Sequence, residues 1–216
     1  MPRAPRANGS TPERLIATAE RLFAERGIEA VSLRDITAAA GANTAAVHYH
    51  FGSKDELVRA ILEHRAAEIG KRRDVYLTQI EQSRKPTLRQ VVSALVLPTA
   101  ELAADDAHGG RFYIGFLAAL LERPENVATM DDVYGEQTNR YLVALERTLP
   151  SIPHDVRILR FAFAKDFLNR ALAHRDRGMI LWVEEHVPGT VPALTDHVID
   201  FLVGAFRAPV SDTDSD

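Results

Sequence analysis

The stretch Gly41 to Lys54, GANTAAVHYHFGSK, decides the fold, because turn, capping and polar side chains converge there on one task. Gly41 follows the helix-like run Leu33 to Ala40, and glycine best adopts the left-handed conformation that stops a helix sharply. Asn43 is a strong N-cap for a new helix. That helix spans only about two turns, because Phe51-Gly52-Ser53 intervenes before the next capping signal, Ser53-Lys54-Asp55-Glu56. Val47 and Phe51, four apart, give the short helix its apolar contact. Asn43, Thr44, His48, Tyr49 and His50 are left to face outward as uncharged donors, acceptors and aromatics, a set suited to phosphates and base edges in a major groove. No Asp or Glu occurs from Ile36 to Lys54, although the two make up 30 of the 216 residues. The pattern reads as the turn and recognition helix of a helix-turn-helix.

Upstream, Thr11-Pro12-Glu13 opens a first helix with a capping hydroxyl, a first-turn proline and an acid near the positive end of the helix dipole. Leu15, Ala19, Leu22 and Phe23 recur at helical spacing, with Glu20, Arg21 and Glu25 placed on the other side, and Gly27 ends the helix. Ser32-Leu33-Arg34-Asp35 is a second capping box, which sets Arg34 on the outer face beside the recognition helix, where it can take a guanine edge or a phosphate. Residues 1–10, rich in Pro, Arg, Ala and Gly, are expected to form a disordered arm.

Downstream, Leu57, Val58, Ile61, Leu62, Ile69, Tyr76, Leu77 and Ile80 carry one helix to about Ser83, about 45 Å long. It links the recognition helix to a distant part of the chain. From Thr87 onward the pattern is helical throughout. Pro98 is expected to kink the helix from Thr87 to about Ala104, Asp105 to Gly110 is a loop, and Arg111 to Arg123 is apolar on nearly every face, a buried central helix in which Gly115 marks either close packing or an internal space. Helices from about Asp155 to His174 and from Val191 to Arg207 each carry two apolar stripes. One stripe packs on the body and the other needs a partner, which predicts a four-helix homodimer interface including Phe163, Leu168, Leu172, Val198, Phe201 and Leu202. The tail 209–216 is expected to be disordered.

The chain is long enough to bury a sizeable core. Its longest uncharged apolar run, Phe112 to Leu121, is far short of the roughly 20 residues that span a bilayer, so no membrane partner is expected. The basic N-terminus leads into a charged helix rather than an apolar segment, which argues against a secretory signal. The absence of cysteine excludes disulfides, thiolate metal sites and cysteine nucleophiles, and agrees with a cytoplasmic location. Net charge is −4, yet residues 1–54 carry seven Lys/Arg against five Asp/Glu, a mildly basic head on an acidic body. His48 and His50 diverge by about 200° on a helix and have no carboxylate beside them, so no metal site is expected. Glu184-Glu185-His186 reads as a solvated helix end. With no G-x-S-x-G or P-loop pattern, neither an enzyme nor a cofactor is implied.

Three segments, LFAERG (Leu22 to Gly27), SLRDIT (Ser32 to Thr37) and AGANTAAVHYHFGSKDEL (Ala40 to Leu57), together resemble the tetracycline repressor (TetR) family of bacterial transcription regulators. The resemblance implies an all-α homodimer: a three-helix helix-turn-helix domain at 11–54 and a larger helical ligand-binding and dimerisation domain at 55–208. It implies a double-stranded, palindromic DNA operator and a small, largely apolar effector that releases it, acting at the far end of the helix from Ser53 near Ile80. By the same resemblance Asn43, Thr44, Ala45 and His48 contact base edges or the groove floor with Arg34 helping, and Ser32, Tyr49, His50 and Lys54 contact phosphates. His48 stands where many relatives carry tyrosine, so the operator sequence is this chain's own. Phe112, Tyr113, Phe116, Met130, Tyr134 and Phe167 are the candidates for the pocket lining, with plain core the alternative for each aromatic. The run Phe112 to Leu121 followed by Arg123-Pro124-Glu125 is similar to a subgroup that senses fatty acids or acyl thioesters. Two rival readings are a DNA-binding structural factor that recruits a protein partner and senses nothing, and a small-molecule binder or enzyme that has lost DNA binding.

Overall fold

Helical spacing of apolar residues along the whole chain produces a helical protein. The computed structural model describes residues 10–105, 109–121, 126–173 and 191–210, and every regular element among these is an α-helix. They are α1 (Thr11–Arg26), α2 (Leu33–Ala40), α3 (Thr44–His50), α4 (Lys54–Gln82), α5 (Leu88–Ala104), α6 (Gly110–Leu121), α7 (Val127–Thr148), α8 (His154–Ala173) and α9 (Val191–Arg207). Residues 1–9 of the expected arm 1–10, the Arg123-Pro124-Glu125 and Glu184-Glu185-His186 segments and the tail beyond residue 210 lie outside the described residues.

The head, α1 to α3, is fixed by local signals. Ser10, one residue before the expected Thr11, caps α1, and its backbone N–H donates to Glu13 Oε2 at 2.8 Å. Ser32 caps α2 by accepting from the Asp35 N–H. Asn43 Oδ1 caps α3 by accepting the Ala45 N–H at 2.9 Å, and Ser53 Oγ caps α4 by accepting the Glu56 N–H at 3.1 Å. Gly41 ends α2 in the left-handed region at φ 60°, ψ 38°. Arg14 of α1 then donates from Nη2 to the carbonyls of Ala40 and Gly41, at 2.6 and 3.2 Å. It satisfies carbonyls that a helix end leaves without partners and pins the turn. Val47 is the anchor of α3, fully buried where α3 packs on α1 and α2.

In the body, α4 runs 29 residues, about 43 Å. One continuous cluster of buried side chains runs from Leu15 in α1 to Phe206 in α9, so head and body share a core. The contact between them is chiefly α1 on α6. Gly115 permits it, since a Cβ at that position would lie 3.0 Å from Ala24 Cβ. Pro98 sits inside α5 and removes the N–H that would bond the Ala94 carbonyl. Tyr141 of α7 replaces it, its hydroxyl donating to Ala94 O at 2.7 Å, so a helix defect becomes a tie between helices.

Two sequence expectations fail here. Glu20 does not lie on the outer side of α1; it is buried and paired with Arg65. Four of the six expected dimer residues, Leu168, Leu172, Val198 and Leu202, are buried within the protomer where α8 and α9 pack on α6 and α5. The stripe left outside holds Leu159, Phe163, Phe167 and Phe201, with Phe163 63% and Phe201 59% exposed.

Candidate DNA-binding surface and interior site

The α2–α3 unit leaves a polar, aromatic face in the open. Arg34, Asn43, Ala45, His48, Tyr49 and His50 are all exposed, and Tyr49 is 85% exposed. An aromatic ring with that much surface in water, stacked only edge-on against His50 at 5.0 Å, is available to a partner. The backbone of α3 carries Thr44 at its first turn; its side chain lies outside the described set.

Local bonds decide what each group has left to offer. His48 Nδ1 lies 3.0 Å from the Gly52 carbonyl. A carbonyl only accepts, so Nδ1 carries a proton and Nε2 of the neutral ring is an acceptor. Such an acceptor fits the amino groups of adenine or cytosine in the major groove. Asn43 has spent its carbonyl on the cap and keeps its amide as donor. The Ser32 hydroxyl donates to Asp35 Oδ2 at 2.5 Å, so its hydrogen is already engaged, and this bond holds the Asp35 carboxyl below its ordinary value. Lys54 opens α4, at the positive end of the helix dipole but beside the first-turn carboxylates of Asp55 and Glu56, and its Nζ sits 6.0 Å from the Phe23 ring centroid.

Behind the head, Arg65 of α4 makes a two-pronged ion pair with Glu20 of α1, Nε to Oε2 at 2.8 Å and Nη2 to Oε1 at 2.7 Å, both side chains buried. Its Nη1 donates to Glu68 at 2.9 Å, and its guanidinium lies 5.9 Å from the Tyr113 ring centroid. Burial holds the Glu20 carboxyl above its ordinary value even against the Arg65 bonds.

At the meeting of α4, α5, α6, α7 and α8 lies an interior void of about 20 Å³, lined by Ile69, Arg73, Leu95, Thr99, Tyr113, Leu117, Met130, Tyr134, Lys165, Leu168 and Asn169. Of the six expected lining residues, Tyr113, Met130 and Tyr134 are present. Phe116 is buried but stacks on Phe23 at 6.0 Å, Phe112 lies under Arg111, and Phe167 faces outward against Phe201 at 4.8 Å. The lining also departs from the apolar expectation by including two cations, Arg73 and Lys165. Arg73 is the last cation of the run Lys71-Arg72-Arg73, which reads as a solvated face. Lys165 left a signal, since it falls on the same helical stripe as the buried Phe161, Ala164, Leu168 and Leu172. A larger concavity, about 310 Å³, is an open groove between Tyr76–Ile80 and Thr87–Ser93, at the end of α4 where the sequence placed the effector's action. Among the described residues no group of His, Asp and Glu could hold a metal ion, and no helix is long and apolar enough to cross a membrane.

Comparison with known proteins gives this arrangement a family. The pattern of "Bacterial regulatory proteins, tetR family" matches residues 15–61, and that of "Tetracyclin repressor-like, C-terminal domain" matches residues 93–205, more than half the chain. Over 50 residues the chain is 50% identical to the HTH-type transcriptional repressor Rv3405c of Mycobacterium tuberculosis, covering 23% of this chain and 27% of that protein. Over 95 residues it is 35% identical to the HTH-type transcriptional repressor KstR2 of Rhodococcus jostii, covering 44% and 43%. The chain thus spans less than half the length of these curated relatives. Among solved structures, the ketosteroid transcriptional regulator KstR2 of Mycobacterium tuberculosis superposes with TM-score 0.62 at 19% identity over 93% of this chain and 96% of that one. The fatty acid degradation regulator FadR of Bacillus halodurans does so with TM-score 0.61 at 16% identity over 94% and 100%. At such identities these likenesses concern the fold. The family patterns extend through both head and body: the chain belongs to the TetR family of bacterial transcriptional regulators.

Proposed function

We propose that this protein is a dimeric transcriptional repressor that holds a palindromic operator and releases it when a small ligand enters the body. The observation that carries the DNA-binding part is the open face of α3, with His48, Tyr49 and His50 exposed beside Arg34 and the Lys54 end of α4. In a two-fold dimer the two α3 helices would enter successive major grooves about 34 Å apart. Asn43, Thr44, Ala45, His48 and Arg34 are assigned to base edges or the groove floor, and Tyr49, His50 and Lys54 to phosphates. Ser32 is assigned there through its backbone position rather than its engaged hydroxyl.

The dimer is assigned to the outward stripe Leu159, Phe163, Phe167 and Phe201, since large apolar side chains collected on one open face are what an interface between helix pairs buries. A ligand that pushes on the body shifts α4, and the shift changes the spacing of the two α3 helices. A coupling of about 1–3 kcal/mol would weaken operator binding roughly 5- to 150-fold.

One observation favours a second reading, a DNA-binding factor that recruits a protein partner and senses nothing. The interior void of about 20 Å³ is far below the roughly 300 Å³ of an ordinary ligand pocket. The two readings separate in a titration of operator-bound protein with small molecules. Release of DNA by any of them at a stoichiometric plateau supports the sensor. Ligands that stabilise nothing and release nothing leave the recruiting factor.

A further inference from the structure

The chemistry of the interior void is narrower than its size suggests. Its two cations come from opposite sides, Arg73 from α4 and Lys165 from α8. Arg73 is held by long bonds from its terminal nitrogens, to Gln137 Oε1 at 3.3 Å and Thr99 Oγ1 at 3.4 Å, and its guanidinium lies 5.8 Å from the Tyr134 ring centroid. Its Nε is buried with no hydrogen-bond partner among the described residues. Lys165 forms no ion pair or hydrogen bond among them either; its Nζ lies 5.7 Å from the Phe161 ring centroid, and Asp131 acts on it only at longer range. A second void of about 10 Å³ is also lined by Arg73, Leu95, Tyr134 and Lys165, so both spaces border the same two cations. Tyr113 and Tyr134 join their hydroxyls at the wall, kept neutral because burial raises both.

Two neighbouring cations with no carboxylate in ion-pair contact among the described residues, Asp131 reaching Lys165 only at longer range, and one of them with an orphaned buried donor, are a costly arrangement for a protein interior. An anion completes both. We infer that this interior site binds an organic carboxylate, with the carboxylate between the Arg73 guanidinium and the Lys165 ammonium and an apolar tail among Leu95, Leu117, Met130 and Leu168. The inference rests on reading the body as a ligand-sensing domain.

A void of about 20 Å³ holds little more than a water molecule, so the tail makes its own room. Met130, unbranched and adaptable, is the side chain best able to yield. The displaced wall has a route to the head. Tyr134 of α7 is bonded to Tyr113 of α6, the Tyr113 ring lies against Arg65, and Arg65 holds Glu20 of α1. A tail that pushes on Tyr113 and Leu117 moves α6 where it meets α1 through Gly115 and Ala24.

The test uses the full-length protein with butyrate, octanoate, decanoate, benzoate and phenylacetate, each paired with its methyl ester. Binding is read by thermal shift and calorimetry, and DNA release by anisotropy on a duplex from upstream of the chain's own gene. At least one acid should bind and its ester should not. Lys165→Met should weaken that acid by at least about tenfold, the loss of a hydrogen-bonded charge, while raising the melting temperature of the ligand-free protein. Lys165→Arg should keep acid binding. Esters that bind as well as acids, unchanged acid binding in Lys165→Met, or no shift with any acid of the panel would overturn the inference. The failures are separable. Acids that bind through Lys165 and leave DNA affinity unchanged sink the sensing reading but not the site, whereas DNA release by esters alone sinks the site but not the sensing.

Discussion

The Glu20–Arg65 pair joins the DNA-binding head to the body, and its removal has a magnitude that the structure sets. Breaking a buried ion pair by deleting one partner costs about 3–5 kcal/mol, because the other charge stays buried without its counter-ion. Glu20→Met leaves Arg65 with its 2.9 Å bond to Glu68, so its cost should fall near the lower end, about 3 kcal/mol. Arg65→Met leaves Glu20 buried with no cation in contact among the described residues, and its cost at neutral pH should be at least as large. The double variant, with two apolar side chains of similar volume, should be within about 1–2 kcal/mol of wild type, giving a coupling of at least about 3 kcal/mol. The pH dependence follows in sign. Burial already raises the Glu20 carboxyl, so the folded chain holds that proton more tightly than the unfolded one. The stability it contributes is full below its unfolded value, 4.5, and is lost as pH rises through the raised folded value. Removing Arg65 raises it further. The deficit of Arg65→Met should therefore grow between pH 5 and pH 8, while that of Glu20→Met should not. Urea unfolding followed by circular dichroism at both pH values measures all three variants. Single losses under about 1 kcal/mol with no coupling, or an Arg65→Met deficit independent of pH, would refute the reasoning.

Other outcomes follow from the same geometry. Tyr141→Phe should cost about 1–3 kcal/mol in equilibrium unfolding, because the Ala94 carbonyl, already deprived of its helix donor by Pro98, loses its replacement. Arg34→Ala and His48→Leu should each reduce discrimination at one operator position by about 1–3 kcal/mol in competition binding, whereas Lys54→Ala should weaken operator and random DNA alike and lower the salt slope by about one; equal losses on both DNAs for Arg34→Ala would remove it from base reading. Phe163→Glu combined with Phe201→Glu should shift sedimentation from dimer to monomer with the fold intact, while a dimer that survives would place the interface elsewhere. Burial, with Arg73 beside it, pulls the Lys165 ammonium down to about 8, so carboxylate affinity should fall as pH rises from 7 to 9, with Arg73, Asp131, Tyr113 and Tyr134 the other titratable or charged groups facing it.

Whatever depends on neighbours in the chain was legible. Asn43, Gly41, Ser32 and Ser53 announced the head because a cap and its N–H lie within three residues of each other, and Val47 announced its buried face by spacing. Groups whose partners lie far along the chain were not. Glu20 reads as an outward carboxylate until Arg65, 45 residues away, is brought beside it. Tyr141 gives no sign that it serves Pro98. The two stripes of α8 look alike in sequence, and only the packing of α6 and α9 decides that Leu168 and Leu172 go in while Phe163 and Phe167 stay out. The aromatic content of α6 marked it as central but did not tell pocket from core, because Phe116 and Tyr113 are equally buried and only Tyr113 borders the void.

Operator reading by the α3 face of a dimer is open to direct measurement. Footprinting and anisotropy on the DNA upstream of the chain's own gene, over a salt series, test it most directly. One protected palindrome bound by two protomers is expected, with half-sites about one helical turn apart, an affinity that falls steeply with salt, and a footprint abolished by Tyr49→Ala with Lys54→Ala. Protection that is absent, or binding no tighter to that DNA than to random sequence and indifferent to those substitutions, would contradict it.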